Sequence, residues 1–234
     1  MRSSIRIEGQ RGESIVIDTG PEFRIQALRE GITHIDGILV THAHADHIHG
    51  LDDIRGIAHH NPMPVYCNAP TAEEIKERFS YAFRATQKGG GKPRIDLIEV
   101  DSPFAIGGIT ITPIPVKHGI LDILGWQLRE GKRIALYLTD TSALPQTSFE
   151  RIAKPPDVLI IGALRDTYHV THFNFDQAIN TGLSLGAKSI YLTHICHDFT
   201  HTEIEAYCRR EYPKESSPPS RIHAAYDRLK IALD

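Results

Sequence analysis

Residues 38–50 read Ile-Leu-Val-Thr-His-Ala-His-Ala-Asp-His-Ile-His-Gly, an apolar run followed at once by four histidines and an aspartate. The run Ile38-Leu39-Val40 has the composition of a short strand. If that strand runs on briefly, alternation places His42, His44 and Asp46 on one side, and the turn that follows swings His47 toward the same point. Neutral imidazoles and a carboxylate suit zinc, manganese or iron. The absence of cysteine from the stretch removes the look of a closed structural zinc site and favours catalysis. A solvated His-rich loop is the plainer reading, and so is a single opportunistic metal site. Regular spacing directly after a strand argues against both.

Outward from this stretch, the chain of 234 residues has room for one large domain or two small ones, with enough length to bury a core. Hydrophobic residues make up 41% and charged residues 24%, and the net charge is −3, which gives no general pull toward nucleic acid or membrane. Cys67, Cys196 and Cys208 stand in no disulfide or metal-ligand spacing, and Met1-Arg2-Ser3 leads into no apolar signal segment. A reducing, cytoplasmic setting is the expectation. Apolar runs such as Val158 to Leu164 fall far short of the roughly 20 residues that span a bilayer.

Strands are expected at 14–17, 35–40 and 64–67, with helices at 23–30 and 71–83. From Ile95 to Thr139 the spacing tightens to strands at 104–106, 109–113, 124–128 and 133–138, which read as antiparallel hairpins. Helices follow at 146–153, 175–185 (with Asn174 as N-cap) and 202–210, strands at 158–161 and 189–192, and a closing strand at 229–233. Hairpin groups interrupted by helices in both halves favour two mixed sheets packed face to face, with helices outside, over a doubly wound parallel sheet. The Gly-rich segment from Ala85 to Lys92 reads as a linker. It is not a phosphate loop, because Pro93 follows the lysine and no apolar strand precedes it.

Three further residues close predicted strands. His118 follows Ile111-Thr-Pro-Ile-Pro-Val-Lys, Asp140 follows Ile134-Ala-Leu-Tyr-Leu-Thr, and His194 follows Ile190-Tyr-Leu-Thr. Strand ends in a sandwich can meet at one rim, so a polar residue closing several apolar runs reads as a site. Singly, each histidine could be a turn residue, and Asp140 a helix N-cap or Asx turn.

With these residues in hand, the chain resembles the metallo-β-lactamase superfamily, whose signature His-x-His-x-Asp-His appears as His42-Ala-His44-Ala-Asp46-His47. One branch, represented by the phosphoribosyl cyclic phosphodiesterase of bacterial phosphonate breakdown, is matched further. The matching positions are Pro115-Val-Lys-His118, Leu138-Thr-Asp140-Thr, His172-Phe-Asn, Leu192-Thr-His194-Ile-Cys-His197 and Ala225-Tyr-Asp227. The resemblance implies an αββα sandwich in a single domain over 1–234. It implies two divalent ions (manganese or zinc, with iron a further option), one held by His42, His44 and His118, the other by Asp46, His47 and His194, with Asp140 bridging. It takes His172, Asp46 and Asp140 as catalytic, His172 serving the leaving group. Two such ions lower the pKa of a bridging water, so that hydroxide is available to attack a phosphodiester. His169 is a weaker candidate for the same rim, with plain loop surface an equal alternative.

Relatives in this branch begin with a further strand and three cysteines that, with a histidine at the position of His197, hold a structural zinc. The chain starts within what resembles their second strand, so that zinc is not expected and His197 has no assigned role. An exposed sheet edge would invite a homodimer. Arg228 stands where relatives carry glycine. His49 is read as capping a helix beginning at Gly50 and ending at His59 and His60. Arg78, Arg84, Lys88 and Lys92 form a loose basic cluster, read as a solvated helix face or as a site for a phosphorylated substrate.

The expected activity is hydrolysis of a small phosphodiester or cyclic phosphate, with a phosphorylated or nucleotide-like substrate, no membrane partner and no stable nucleic-acid complex. Thioester, lactone or RNA hydrolysis in the same superfamily is the nearest alternative. A non-catalytic metal- or nucleotide-binding module is the alternative from a different class. A flavin-linked diiron oxygen reductase is disfavoured, because it would carry Glu in place of His44 and an attached flavodoxin-like domain.

Overall fold

The structure, a computed structural model, describes residues 1–58, 61–84, 91–153, 155–216 and 221–233. Most of the Gly-rich linker, Lys88, His59 and His60 lie outside the described residues. Two compact units are formed, Met1–Thr110 and Ile111–Asp234.

The first unit holds a five-stranded sheet of β1 (Ile5–Glu8), β2 (Ser14–Ile17), β3 (Gly37–Leu39), β4 (Met63–Cys67) and β5 (Ile95–Glu99), in that spatial order. The β1 and β2 strands are antiparallel, with Ile5 opposite Ile17, and every later pair is parallel. Parallel pairing requires crossovers. Helix α1 (Phe23–Arg29) makes the first, α2 (Ala45–Ile48) and a 3-10 helix (His49–Gly56) the second, α3 (Ala69–Arg78) and α4 (Ser80–Phe83) the third. The β2 and β3 strands are buried along their whole length, as central parallel strands are. Val16, Phe23, Ile38, Ile48, Leu51, Ile54, Val65 and Ile75 form the core of this unit. The helix expected over 71–83 is two helices, interrupted at Phe79 (φ −106°, ψ 33°), and α3 starts earlier because Asn68 caps it by accepting the Thr71 N–H.

A seven-stranded sheet follows, in the order β12-β11-β10-β9-β8-β7-β6. Its strands are β6 (Phe104–Ile106), β7 (Ile109–His118), β8 (Leu121–Glu130), β9 (Arg133–Leu138), β10 (Val158–Gly162), β11 (Ser189–Thr193) and β12 (Ile222–Ala224). The β8/β9 pair is antiparallel, with buried Trp126 opposite buried Tyr137, while β9 to β12 are mutually parallel. The β7 strand does not stop at Pro113 but runs on to His118. Both prolines fall beyond the length of the short β6, and their carbonyls accept from the side chains of Arg151 and Ser148, so their missing N–H groups cost no ladder bond. Helices α5 (Gln146–Arg151), α6 (Phe175–Ser184), α7 (His201–Glu211) and α8 (Pro213–Ser216) complete the unit. Reciprocal capping boxes start α6 (Asn174 with Gln177) and α7 (Thr200 with Glu203). Leu159, Ile161, Phe175, Ile179, Ile190 and Leu192 lie in its core.

The expected closing strand at 229–233 is not formed. No residue there is buried, whereas Ile222 and Ala224, a few positions earlier, are, and those form β12. Hydropathy alternation without a face to cover does not make a strand. The layers are therefore two mixed sheets flanked by helices. Among the described residues no helix is long and apolar enough to cross a membrane.

Candidate metal centre

In the first unit the decisive stretch is not an extension of its strand. The β3 ladder ends at Leu39, and the last ladder-like bond runs from the Val40 N–H to the Tyr66 carbonyl (2.9 Å). Buried Asp18 replaces it, accepting the Thr41 N–H on Oδ1 and the Thr41 hydroxyl on Oδ2, each at 2.8 Å. Residues 41–44 are loop, and Asp46 and His47 lie on α2. The period of a strand therefore stops applying at Thr41, although His42, His44, Asp46 and His47 still come together. His42 Nε2 and His44 Nδ1 are 2.9 Å apart, the rings of His42 and His47 are 4.3 Å apart, and His47 Nε2 is 3.4 Å from Asp46.

His47 is wholly buried and gives its Nδ1–H to Asp18 Oδ2 at 2.7 Å, which leaves Nε2 as the nitrogen that could ligate a metal ion. Burial pushes the Asp18 carboxyl above the usual carboxylate range, against the opposing pull of His47 and Thr41. The turn after β2 fits closely under α2. Thr19 N–H donates to the His47 carbonyl (2.7 Å), and Gly50 N–H to the Thr19 carbonyl (2.8 Å). A Cβ on Gly20 would meet the Asp46 carbonyl at 2.4 Å, and one on Gly50 the Gly20 carbonyl at 2.4 Å, so both positions demand glycine. His49 is an exposed residue at the start of the 3-10 helix, whose N-cap is Ile48; it is the C-cap residue of α2 and not the N-cap of the helix that follows.

In the second unit, His118, Asp140 and His194 close β7, β9 and β11. Asp140 is 2% exposed and accepts from the Thr139 hydroxyl at 2.7 Å. Its Oδ1 lies 3.2 Å from His194 Nε2, and its Oδ2 lies 3.9 Å from both His118 Nε2 and His172 Nδ1. His118 gives its Nδ1–H to the Thr171 carbonyl (2.8 Å), which again leaves Nε2 facing the carboxylate. The His172 ring lies 4.7 Å from that of His118, 5.1 Å from that of His169 and 5.2 Å from that of His194. Burial pushes the His172 imidazolium down to about 4 against the pull of Asp140, and the rings of His194, His118 and His169 add to the fall. His169 accepts from the Thr171 N–H (3.3 Å) and belongs to this cluster, not to a plain loop surface.

Each unit thus offers imidazoles and a carboxylate, with one histidine in each set to present Nε2 by an acceptor on Nδ1. That donor set fits a divalent metal ion. Within the second unit, one ligand atom each of Asp140, His172 and His194 lies within 4.8 Å of the others. Asp18, Asp140 and His194 also share left-handed backbone (φ 59°, 51° and 55°), a conformation costing a non-glycine residue about 1–2 kcal/mol.

Asp18 was missed by the sequence reading, yet a signal was present: Ile15-Val-Ile-Asp18-Thr19 and Leu136-Tyr-Leu-Thr-Asp140-Thr141 both close an apolar strand with Asp-Thr. His197 is almost fully exposed beside Asp198. Arg228 has φ 72°, which accounts for the glycine expected at its position by resemblance.

Comparison with known proteins agrees with this geometry. The family described as a beta-lactamase superfamily domain matches residues 13–195. A diphosphatase from the PhnP family, known from its crystal structure, is 34% identical over 100% of this chain and 85% of its own, with a TM-score of 0.83. The chain belongs to the metallo-β-lactamase superfamily, near the PhnP branch. The superfamily fold also relates it to human tRNase Z, short form (17% identity over 100% of this chain and 93% of the other, TM-score 0.73), a likeness of fold alone. An octanoyltransferase of Porphyromonas gingivalis is 35% identical over 100% of this chain, which covers 45% of that protein. The chain spans under half the length of the curated relatives it matches. Its superfamily fold and its His/Asp clusters suit the binding of a divalent metal ion.

Proposed function

We propose that this metallo-β-lactamase-fold hydrolase is a phosphodiesterase using two divalent ions. His42, His44 and His118 would hold one, Asp46, His47 and His194 the other, and Asp140 would bridge them. When bound, such a pair supplies Lewis acidity at phosphoryl oxygens and lowers the pKa of water. The chain's own residues orient and exclude. Asp18 and the Thr171 carbonyl hold two imidazoles in the ligating tautomer, and the buried Asp140 carboxylate keeps its orientation through the Thr139 hydroxyl.

The observation that carries phosphodiester cleavage is His172. It is a further imidazole beside Asp140, outside the ligand set assigned by the resemblance, with its ring among those of His118, His169 and His194. A leaving oxygen needs a hydrogen-bond donor or a proton, and His172 is placed to give one. Similarity to a PhnP-family diphosphatase supports phosphoryl chemistry, and a small phosphorylated or nucleotide-like substrate suits it. Among the described residues octanoyl transfer has no comparable support. Burial pushes the thiols of Cys67 and Cys208 up to about 12 and about 11 and raises the Cys196 thiol as well, which leaves none of them as an activated nucleophile.

The test joins elemental analysis of the purified chain to the rate of bis(p-nitrophenyl) phosphate hydrolysis, with and without added manganese. About two ions per chain with metal-dependent turnover is the expected result. Two ions without turnover would move the reading to another hydrolase of the superfamily, and a chain that takes up no metal would end it.

A further inference from the structure

Arg78, Arg84 and Lys92, before and within the Gly-rich segment, are exposed as residues of a solvated face are, but two of them also reach main-chain carbonyls. The Lys92 ammonium donates to the Arg84 carbonyl (2.7 Å), and Arg55 donates to the Gly91 carbonyl (3.0 Å). Arg78, on the last turn of α3, reaches further: its Nη1 donates to the Ala43 carbonyl at 2.6 Å. Ala43 is 4% exposed and stands between His42 and His44.

The place of that carbonyl in the chain explains the need for a side-chain donor. The β3 ladder has ended by Val40, and the first N–H groups of α2 to find a carbonyl, those of His47 and Ile48, bond to His44. The Ala43 carbonyl falls in the gap between ladder and helix, where no periodic backbone partner exists and a buried acceptor left unmade is costly. A guanidinium suits this better than an ammonium, because it offers two nitrogens in a fixed plane. The second, Nη2, is taken by Glu74 one turn back on α3, so the fork is oriented before it meets the loop.

We propose that Arg78 is a positioning residue for the His42 and His44 ligand pair. Its guanidinium fixes the plane of the Ala43 peptide, and with it the directions in which the two flanking imidazoles leave the chain. Those imidazoles then stand with His42 Nε2 and His44 Nδ1 2.9 Å apart, close enough for one ion to take both. The inference rests on the metal-binding reading above. The packing of α3 does not depend on Arg78, because Thr71, Ala72 and Ile75 form its buried face.

The test compares the wild-type chain with Arg78→Ala and Arg78→Lys. Zinc affinity is read by chelator competition, the Co2+ spectrum reports on ligand geometry, and the melting temperature is measured without metal. Arg78→Ala is expected to weaken one of the two zinc equivalents by about 10–100-fold and to shift its Co2+ bands, with the metal-free melting temperature unchanged. Arg78→Lys, which keeps a donor for the carbonyl, should recover most of that loss. Unchanged affinity for both equivalents in Arg78→Ala would overturn the inference. So would losses in both variants that merely track a fall in metal-free stability. A wild-type chain that binds no zinc would instead remove the metal-binding reading, and this inference with it.

Discussion

The two units collect similar chemistry by opposite routes. The first takes its imidazoles and carboxylate from one short stretch, Thr41 to His47, folded as a loop and the single turn of α2. The second takes them from β7, β9, β11 and the loop after β10, four segments far apart in sequence. Parallel β9, β10 and β11 end at the same edge of their sheet, and β7 reaches that edge before the tight turn at Gly119, so His118, Asp140, His172 and His194 meet there. A local cluster depends on a few backbone dihedrals and on what braces them, whereas a dispersed cluster depends on strand order.

The largest effect expected is in the dispersed cluster. Asp140→Ala removes the one carboxylate that three imidazoles approach. It should abolish stoichiometric metal uptake and cut manganese-dependent phosphodiester turnover by about 10³-fold or more, read by elemental analysis and steady-state rates. His172→Ala should separate from it by keeping its metal content while turnover falls about 10²–10⁴-fold. Equal loss of metal in both variants would deny His172 its leaving-group role.

Next in size is a variant of the local cluster. Asp18→Asn offers His47 an amide that can turn either its oxygen or its NH2 toward Nδ1, so the ring is no longer held in one tautomer, and zinc affinity should fall about 10–100-fold in a competition assay. The dispersed cluster has no such weak point at His118, because its Nδ1 partner is a main-chain carbonyl that no side-chain substitution removes.

The smallest effect distinguishes the units by salt. Glu13 accepts N–H groups from Gly108 (2.6 Å) and Arg11 (3.0 Å), and those backbone donors hold its carboxyl below the usual range. Asp157 is held below its usual range by the Lys188 ammonium (2.6 Å) and then by the Ile134 N–H. Both folded-state values are lowered. Each contribution is therefore complete above the unfolded values of about 4 and is lost as pH falls through the folded ones. Denaturant titrations from pH 5 downward should show a shallower acid limb in both Glu13→Gln and Asp157→Asn. About 1 M salt should shrink the difference only for Asp157→Asn, because salt screens an exposed ammonium and not a backbone donor.

Legibility in the sequence followed the same division. The His-x-His-x-Asp-His stretch could be read from spacing alone, even though the extended strand invoked to align it ends at Leu39. Type of residue and closeness in sequence were enough, whatever backbone joined them. His118, Asp140 and His194 were legible as polar residues that close apolar strands, and the proposed division of ligands between two ions rests on the resemblance. Asp18 was not seen because its role is to hold His47, and nothing in the local sequence of a buried Asp-Thr tells a ring's partner from a turn. The strand expected at 229–233 fails because periodicity reports a preference and burial decides where it is realised. The twin prolines of β7 show the converse, a segment with a poor strand signal that side chains from α5 sustain.

Asp18, Asp140, His194 and Arg228 all sit in backbone that glycine would occupy without strain. Three of them carry side chains that work, and there selection for endurance and selection for ligation pull in opposite directions. A search for thermostable variants that ignored activity would drift toward glycine at Asp140 and His194, and would harden the protein by emptying it. Arg228 is the position where the same exchange relieves strain at a residue outside the proposed ligand set. It is the natural first step for an engineer who wants a more durable chain with its chemistry left in place.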